Sequence, residues 1–335
     1  MSSPNPLPDV PGLPALRERI EKRLLAAVET DDPTMTEMAS HLVRAGGKRL
    51  RPVLAALASA TGGPDVEVGD EAVTGGVACE LVHVGSLHHD DVIDEAETRH
   101  GVDSVNARWG NLRAILSGDF LLARASELAA SLGTEVATLL AATIGRLCTG
   151  EVRELQFAYQ VDRSVGDYAA AIEGKTAALY STACRIGGLV ADLPRDQVDA
   201  LTDFGLHYGM AFQVVDDVLD VVATDDELGK PAGHDMAEGV YNLPVLRTLA
   251  GAGGGELRSL LGGPLSPDDQ ARALAVVRAG DGVAQSVTEA RAYVDRAVAD
   301  LEALPPTPAA DALADAARRL LVGLDRGGDG ESGTT

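Results

Sequence analysis

An all-α protein is predicted by three observations. Ala and Leu are abundant while aromatic residues make up only 3% of the chain. Val, Ile and Thr do not alternate over the long runs that a sheet requires. Helix starts and stops recur throughout, separated by short Gly- and Pro-bearing breaks.

Taken in order, the Pro-rich opening, residues 1–12, reads as a flexible segment; it lacks the basic stretch and apolar core of a signal peptide. Pro14 opens an amphipathic helix to about Val28. Thr34 followed by Glu37 reads as a capping box for the next helix. Gly46 and Gly47 then break the chain, and Pro52 suits the first turn of a helix reaching about Ala60. After a loop at 61–70, a long apolar helix spans about Glu71–Glu95. Further helices are expected over Val102–Leu132, Thr134–Tyr159, Val165–Ala191, Arg195–Val222, Leu243–Ala250, Pro267–Ala279, Gly282–Leu304 and Pro308–Leu324. No linker interrupts them, so residues 13–325 read as one domain, followed by a disordered Gly-rich tail at 326–335.

A chain of 335 residues can bury a large core. Its formal charge of −23 argues against nucleic acid as a partner, because a phosphate backbone needs a basic footprint. An anionic substrate must instead be held by local cations. No apolar run is long enough to span a membrane, so only transient membrane contact is expected. Cys79, Cys148 and Cys184 stand singly, without disulfide or zinc spacing, which suits reduced thiols and a cytoplasmic location.

The chemistry is carried by two aspartate clusters of the same spacing, Asp90, Asp91, Asp94 and Asp216, Asp217, Asp220. Each reads D-D-x-x-D within an apolar helical stretch. The first and last acids of each lie one turn apart, about 6 Å along one helix face. Carboxylates so crowded on an apolar helix repel one another and resist desolvation, and a divalent cation removes that cost. Oxygen ligands without Cys point to Mg²⁺ or Mn²⁺. Mg²⁺ retains waters and is completed by phosphate oxygens, so two such helices suggest a diphosphate held between them.

Lys48, Arg49 and Arg51 in GGKRLRP adjoin a helix N-terminus and form a candidate anion site. His83 lies two turns before Asp90 on the same face. Arg99 and His100 follow the first cluster, Lys175 and Thr176 fall in EGKTAALYSTA, Gln213 precedes Asp217 by one turn, and Lys230 follows the second cluster.

Together these segments resemble the trans-isoprenyl diphosphate synthases, or polyprenyl synthetases, over nearly the whole chain. The matching stretches are GGKRLRP, LVHVGSLHHDDVIDEAETRHG, GDFLLA, GKTAALYSTA, FQVVDDVLD and GKPAGHDMAEG. The resemblance implies an all-α bundle of the isoprenoid-synthase type around a central apolar cavity, a homodimer, and transfer of an allylic prenyl group onto isopentenyl diphosphate. It implies Mg²⁺, three ions per site with Mn²⁺ as a substitute, ligated by Asp90, Asp94 and Asp216, with Asp91, Asp217 and Asp220 supporting. Arg99, Lys175, Gln213 and Lys230 would contact the allylic diphosphate. Lys48, Arg51 and His83 would bind isopentenyl diphosphate, with Thr176 close by.

Two positions depart from the family pattern. His100 stands where a second Arg is usual, and Val240 where a Lys is common. An imidazole lacks the guanidinium fork and is charged only part of the time near neutral pH. Short-chain members carry bulky aromatics four and five residues before the first aspartate, where this chain has Ser86 and Gly85. Small side chains there leave room for a growing product, so C30 to C50 is expected, with C20–C25 as the alternative. A non-catalytic subunit of a heteromeric synthase, a class I terpene cyclase, and a phosphohydrolase using His89, His41 and His234 are the rival readings.

Overall fold

The computed structural model describes Leu7 and residues 11–64, 66–223 and 232–325. Helices dominate. α1 (Leu13–Val28) and α2 (Pro33–Ala45) form a hairpin over the N-terminal side of the bundle. α2 begins differently from expectation. Its cap is Asp32, whose side chain accepts from the Thr34 and Met35 amides at 2.8 and 3.1 Å, and Pro33 fills the first turn. Glu37 turns away to pair with Arg108 at 2.7 Å, so no capping box forms.

α3 (Leu50–Ser59) is buried along its length and packs on α4 (Asp70–Ile93). The stretch expected as one helix from Val102 is divided. Thr98–Arg99 and Val102–Asp103 pair as a minimal antiparallel hairpin, then come α5 (Val105–Trp109) and α6 (Asn111–Ser131). Gly110, at φ 87°, separates the two helices, because a left-handed residue cannot continue an α-helix. α7 (Thr134–Gln156) follows.

The predicted helix over 165–191 contains an interruption. α8 (Val165–Ile172) passes through a π-helical turn at Glu173–Ala177 into α9 (Ala178–Val190). α10 runs over Arg195–Val222. The C-terminal part comprises α11 (His234–Ala237), α12 (Leu243–Ala250), α13 (Gly254–Leu260), α14 (Pro267–Ala279), α15 (Gly282–Asp300), α16 (Pro308–Arg319) and α17 (Val322–Asp325). Of these, α11 and α13 carry too few periodic residues to be seen in the sequence.

The core is a continuous layer of helices: α6 on α4, α4 on α3, α3 on α9, α9 on α10 and α10 on α15. One hydrophobic cluster runs through it from Leu7 to Leu320. Among its few aromatics, Tyr180 lies between Tyr208 and Phe212 with ring centroids 5.3 and 5.4 Å away. Both aspartate clusters lie at the C-terminal ends of core helices, α4 and α10.

Candidate active site

The last turn of α4 carries Asp90 and Asp91, and Asp94 is its C-cap. A helix C-terminus bears partial negative charge, so carboxylates concentrated there are disfavoured twice, by each other and by the dipole. Burial pushes Asp90 up to about 7; Glu151 and Asp94 add to the rise, while Lys175 and Arg99 oppose it. Asp94 is exposed. Asp91 is fully buried and serves as an anchor: Arg99 reaches its Oδ1 with Nε at 2.7 Å and Nη2 at 2.6 Å. The hairpin aims this guanidinium. His100 and Gly101, at φ 53° and 78°, form its two-residue turn, a conformation suited to tight antiparallel pairing.

The second cluster also buries its middle acid, and its last one as well. Asp216 is exposed, whereas Asp217 and Asp220 are buried. Both oxygens of Asp217 are occupied, Oδ2 accepting from the Tyr168 hydroxyl at 2.5 Å and Oδ1 from Gln213 Nε2 at 2.9 Å. Thr176 Oγ1 in turn donates to Gln213 Oε1 at 2.8 Å. Burial pushes Asp217 well up and Asp235 adds to this, while the bonds from Tyr168 and Gln213 pull it down.

The π turn joins the two clusters. Thr176 links to α10 through Gln213, and the adjacent Lys175 faces the first cluster, within electrostatic reach of Asp90. Lys175 Nζ sits 2.8 Å from Glu151 and 2.5 Å from Glu154, both on α7. Burial lowers its affinity for a proton, but Glu154 and Glu151 outweigh that and leave it raised, so the ammonium is held charged. These glutamates were not anticipated. Three residues apart on an amphipathic helix, they look like a solvated face. The signal that identifies them is Gly150, immediately before Glu151: a Cβ there would lie 2.4 Å from the Lys175 amide nitrogen, so α7 can approach the π turn only at a glycine.

The basic loop is divided between structure and site. Arg49 is buried, bonded to Glu21 at 2.7 Å, to Glu80 at 3.2 Å and to the Val43 carbonyl at 2.6 Å, and so is withdrawn from the anion site. Arg51, in the first turn of α3, stacks over Tyr180 at 4.4 Å, and its buried Nε has no hydrogen-bond partner among the described residues. Lys48 faces the second cluster; burial lowers it and Asp216 counteracts. His83 is pushed well below the usual imidazole range by burial and by Arg51, His100, Arg49 and Arg99. His100 is likewise lowered, by burial and then Arg99 and Arg49. Both imidazoles therefore enter the site neutral, among guanidiniums. Lys230 lies outside the described residues.

Among the described residues, no group of three acidic, His or Cys side chains is poised to hold a metal alone. That agrees with the donor chemistry. Asp90, Asp94 and Asp216 offer oxygens from two helix C-termini, and Mg²⁺ takes few protein ligands, leaving the rest of its shell to waters and phosphate. Asp90, raised to about 7, is the crowded acid that a cation would relieve. The site therefore fits a hard divalent cation.

One sequence expectation needs correction, and one rival reading loses its support. Gly85 is a packing residue: its added Cβ would meet the Gly118 carbonyl of α6 at 3.1 Å and Leu121 Cβ at 3.3 Å. Ser86 is half-buried, one turn before Asp90. His89 faces α6, with Nε2 3.1 Å from the Ile115 carbonyl and 3.4 Å from Asp119, while His41 lies 2.7 Å from the Asp103 carbonyl. Neither His is arranged with the aspartates as a phosphohydrolase would need.

Residues 32–277 match the family Polyprenyl synthetase. The chain is 40% identical over 299 residues to the nonaprenyl diphosphate synthase of Mycobacterium tuberculosis, covering 88% of this chain and 89% of that protein. Its fold superposes on the crystal structure of a decaprenyl diphosphate synthase from Rhodobacter capsulatus with a TM-score of 0.85 and 32% identity, over 92% of this chain and 96% of that one. It is also similar to a geranylgeranyl pyrophosphate synthase from Corynebacterium glutamicum, solved with calcium and isoprenyl diphosphate (TM-score 0.82, 35% identity, 96% of this chain and 99% of that one). With this match over most of its length, the chain belongs to the polyprenyl synthetase family.

Proposed function

We propose that this prenyltransferase is a Mg²⁺-dependent trans-polyprenyl diphosphate synthase that condenses isopentenyl diphosphate with an allylic diphosphate primer. The observation carrying this reading is the Lys175–Thr176 junction, which is hydrogen-bonded to the second acidic helix through Gln213 and lies within electrostatic reach of Asp90 on the first. A diphosphate there would have a cation and metal-binding acids on either side.

Asp90, Asp94 and Asp216 would hold Mg²⁺, three ions per site with Mn²⁺ as substitute, and the bound metal supplies charge against the departing diphosphate. Asp91, Asp217 and Asp220 set the helix ends in place. Lys175, Arg99, Gln213 and Lys230 would bind the allylic diphosphate, Lys175 exchanging Glu151 and Glu154 for phosphate oxygens. Lys48, Arg51, His83 and His100 would bind isopentenyl diphosphate, Thr176 lying close by. The buried Nε of Arg51, unpartnered among the described residues, supports an anion at that position.

In the reaction the allylic C–O bond breaks and its electron pair leaves on the diphosphate. The isopentenyl double bond attacks the resulting cation, forming the new C–C bond, and a proton passes to the released diphosphate. No protein nucleophile is required; positioned charge and exclusion of water suffice.

The product is proposed to be C30 to C50, in keeping with the small Ser86 and with the nonaprenyl and decaprenyl synthases among the similar proteins. The working form is proposed to be a cytoplasmic homodimer. No described helix is long and apolar enough to cross a membrane, so a long product would leave by transient membrane contact.

The test is to incubate metal-stripped protein with isopentenyl and farnesyl diphosphates, with and without Mg²⁺, and to weigh the products. Elongated diphosphates formed only with the metal are expected. Cyclic hydrocarbon, or no elongation from any primer without an added subunit, overturns the reading. A C20 or C25 limit overturns the chain length alone.

A further inference from the structure

Given the synthase reading above, we propose that Tyr168 is a positioning residue for the second aspartate cluster: its hydroxyl, backed by Arg163, fixes Asp217 so that Asp216 is presented to metal and diphosphate in register with Lys175. Tyr168 lies on α8, outside both D-D-x-x-D segments, and is only 3% exposed. Its hydroxyl donates to Asp217 Oδ2 at 2.5 Å, across 49 residues of sequence. Eight residues further on, Thr176 bonds to Gln213, one turn before Asp217 on α10. The segment bearing Lys175 is therefore pinned to the helix bearing Asp216 at two points, one before the π turn and one within it.

Arg163 explains why the first pin is more than a packing contact. This guanidinium is 5% exposed, yet among the described residues its one hydrogen bond is a long 3.4 Å contact from Nη1 to the Tyr241 carbonyl, and Nε and Nη2 find no partner there. It lies 5.7 Å from the centroids of both Phe157 and Tyr168, within electrostatic range of Asp217 and Glu154. A buried cation with so few bonds is costly, and here it lies against the Tyr168 ring whose hydroxyl holds Asp217. With both oxygens of Asp217 accepting, the carboxylate cannot swing, and the orientation of its neighbour Asp216 follows.

The experiment measures calorimetric binding of Mg²⁺ with inorganic pyrophosphate to the full chain, stripped of metal, for wild type, Tyr168→Phe, Asp217→Asn and the double variant. Outer partners of metal ligands typically contribute about 10- to 100-fold, so Tyr168→Phe should weaken binding about 10-fold. The double variant should be no weaker than Asp217→Asn, because Tyr168 acts through Asp217. Tyr208→Phe removes another buried hydroxyl, one without a partner among the described residues, and should bind as wild type. Wild-type affinity in Tyr168→Phe, or losses that multiply in the double variant, overturns the proposal. Should Tyr168→Phe not fold by circular dichroism, Asp217→Asn decides alone: unchanged affinity overturns it and a loss of about 10-fold supports it. Failure of wild type to bind Mg²⁺ with pyrophosphate would instead count against the synthase reading.

Discussion

At the residue scale the two aspartate clusters share one division of labour. The middle acid of each is a buried anchor, Asp91 on Arg99 and Asp217 on Tyr168, while Asp94 and Asp216 remain exposed. Asp90 gives the clearest pH signature. Its folded value of about 7 lies above its ordinary 3.8, so the folded chain binds more protons than the unfolded chain between those values. That contribution is fully present below about 3.8 and is lost as pH rises through about 7. The metal-free protein should therefore lose melting temperature between pH 5 and 8, and Asp90→Asn should flatten that slope; parallel slopes would refute the assignment. Mg²⁺ with pyrophosphate should restore stability most strongly above pH 7, because a metal ligand must be deprotonated. Chain length is also decided at single positions. Ser86→Phe should shorten the product by at least about one five-carbon unit, read by mass analysis. Gly85→Phe should destabilise by about 3 kcal/mol in urea titration, since its Cβ already meets the α6 backbone.

Among the elements, the π turn at Glu173–Ala177 is the most informative. Such turns are rare, and this one carries both Lys175 and Thr176. It is held from one side by α7, through Glu151, Glu154 and the close approach at Gly150, and from the other by α10 through Gln213. Gly150→Ala should destabilise by about 1–3 kcal/mol and lower kcat, because the added Cβ must push Lys175 away from the acids. An unchanged kcat would show that Lys175 tolerates the displacement. Most element positions were legible beforehand, since helical periodicity and proline at helix starts are local signals. α10 matches over its full predicted span, Arg195–Val222. The π turn was not legible, because EGKTA has ordinary helix-forming residues and only packing against α7 and α10 selects the wider winding.

Over the whole molecule, the remaining feature is an apolar surface. Leu112 and Leu116 on α6 are 72% and 51% exposed, and Val152 and Leu155 on α7 are 52% and 51% exposed. These exposed side chains on two successive helices are where the homodimer proposed above would pair, with a second copy of the chain as the occupant. Wild type should sediment as a dimer, while Leu112→Glu with Leu116→Glu should give monomers of reduced activity. A monomeric wild type would remove the basis for this reading.

By itself the sequence determined the helical class, most helix boundaries and the presence of two acid clusters suited to a hard cation. These follow from spacing within one or two turns, which helix geometry enforces wherever the helix ends up. The tertiary structure alone decided which side chains work together. Arg49 and Arg51 are two residues apart, yet one is absorbed by Glu21 and Glu80 and the other stacks on Tyr180. Lys175 meets Glu154 across 21 residues, Tyr168 meets Asp217 across 49, and Gly85 meets α6 where an open shaft was expected. Such partnerships depend on how helices cross and which faces they bury, and local periodicity carries no record of the partner helix.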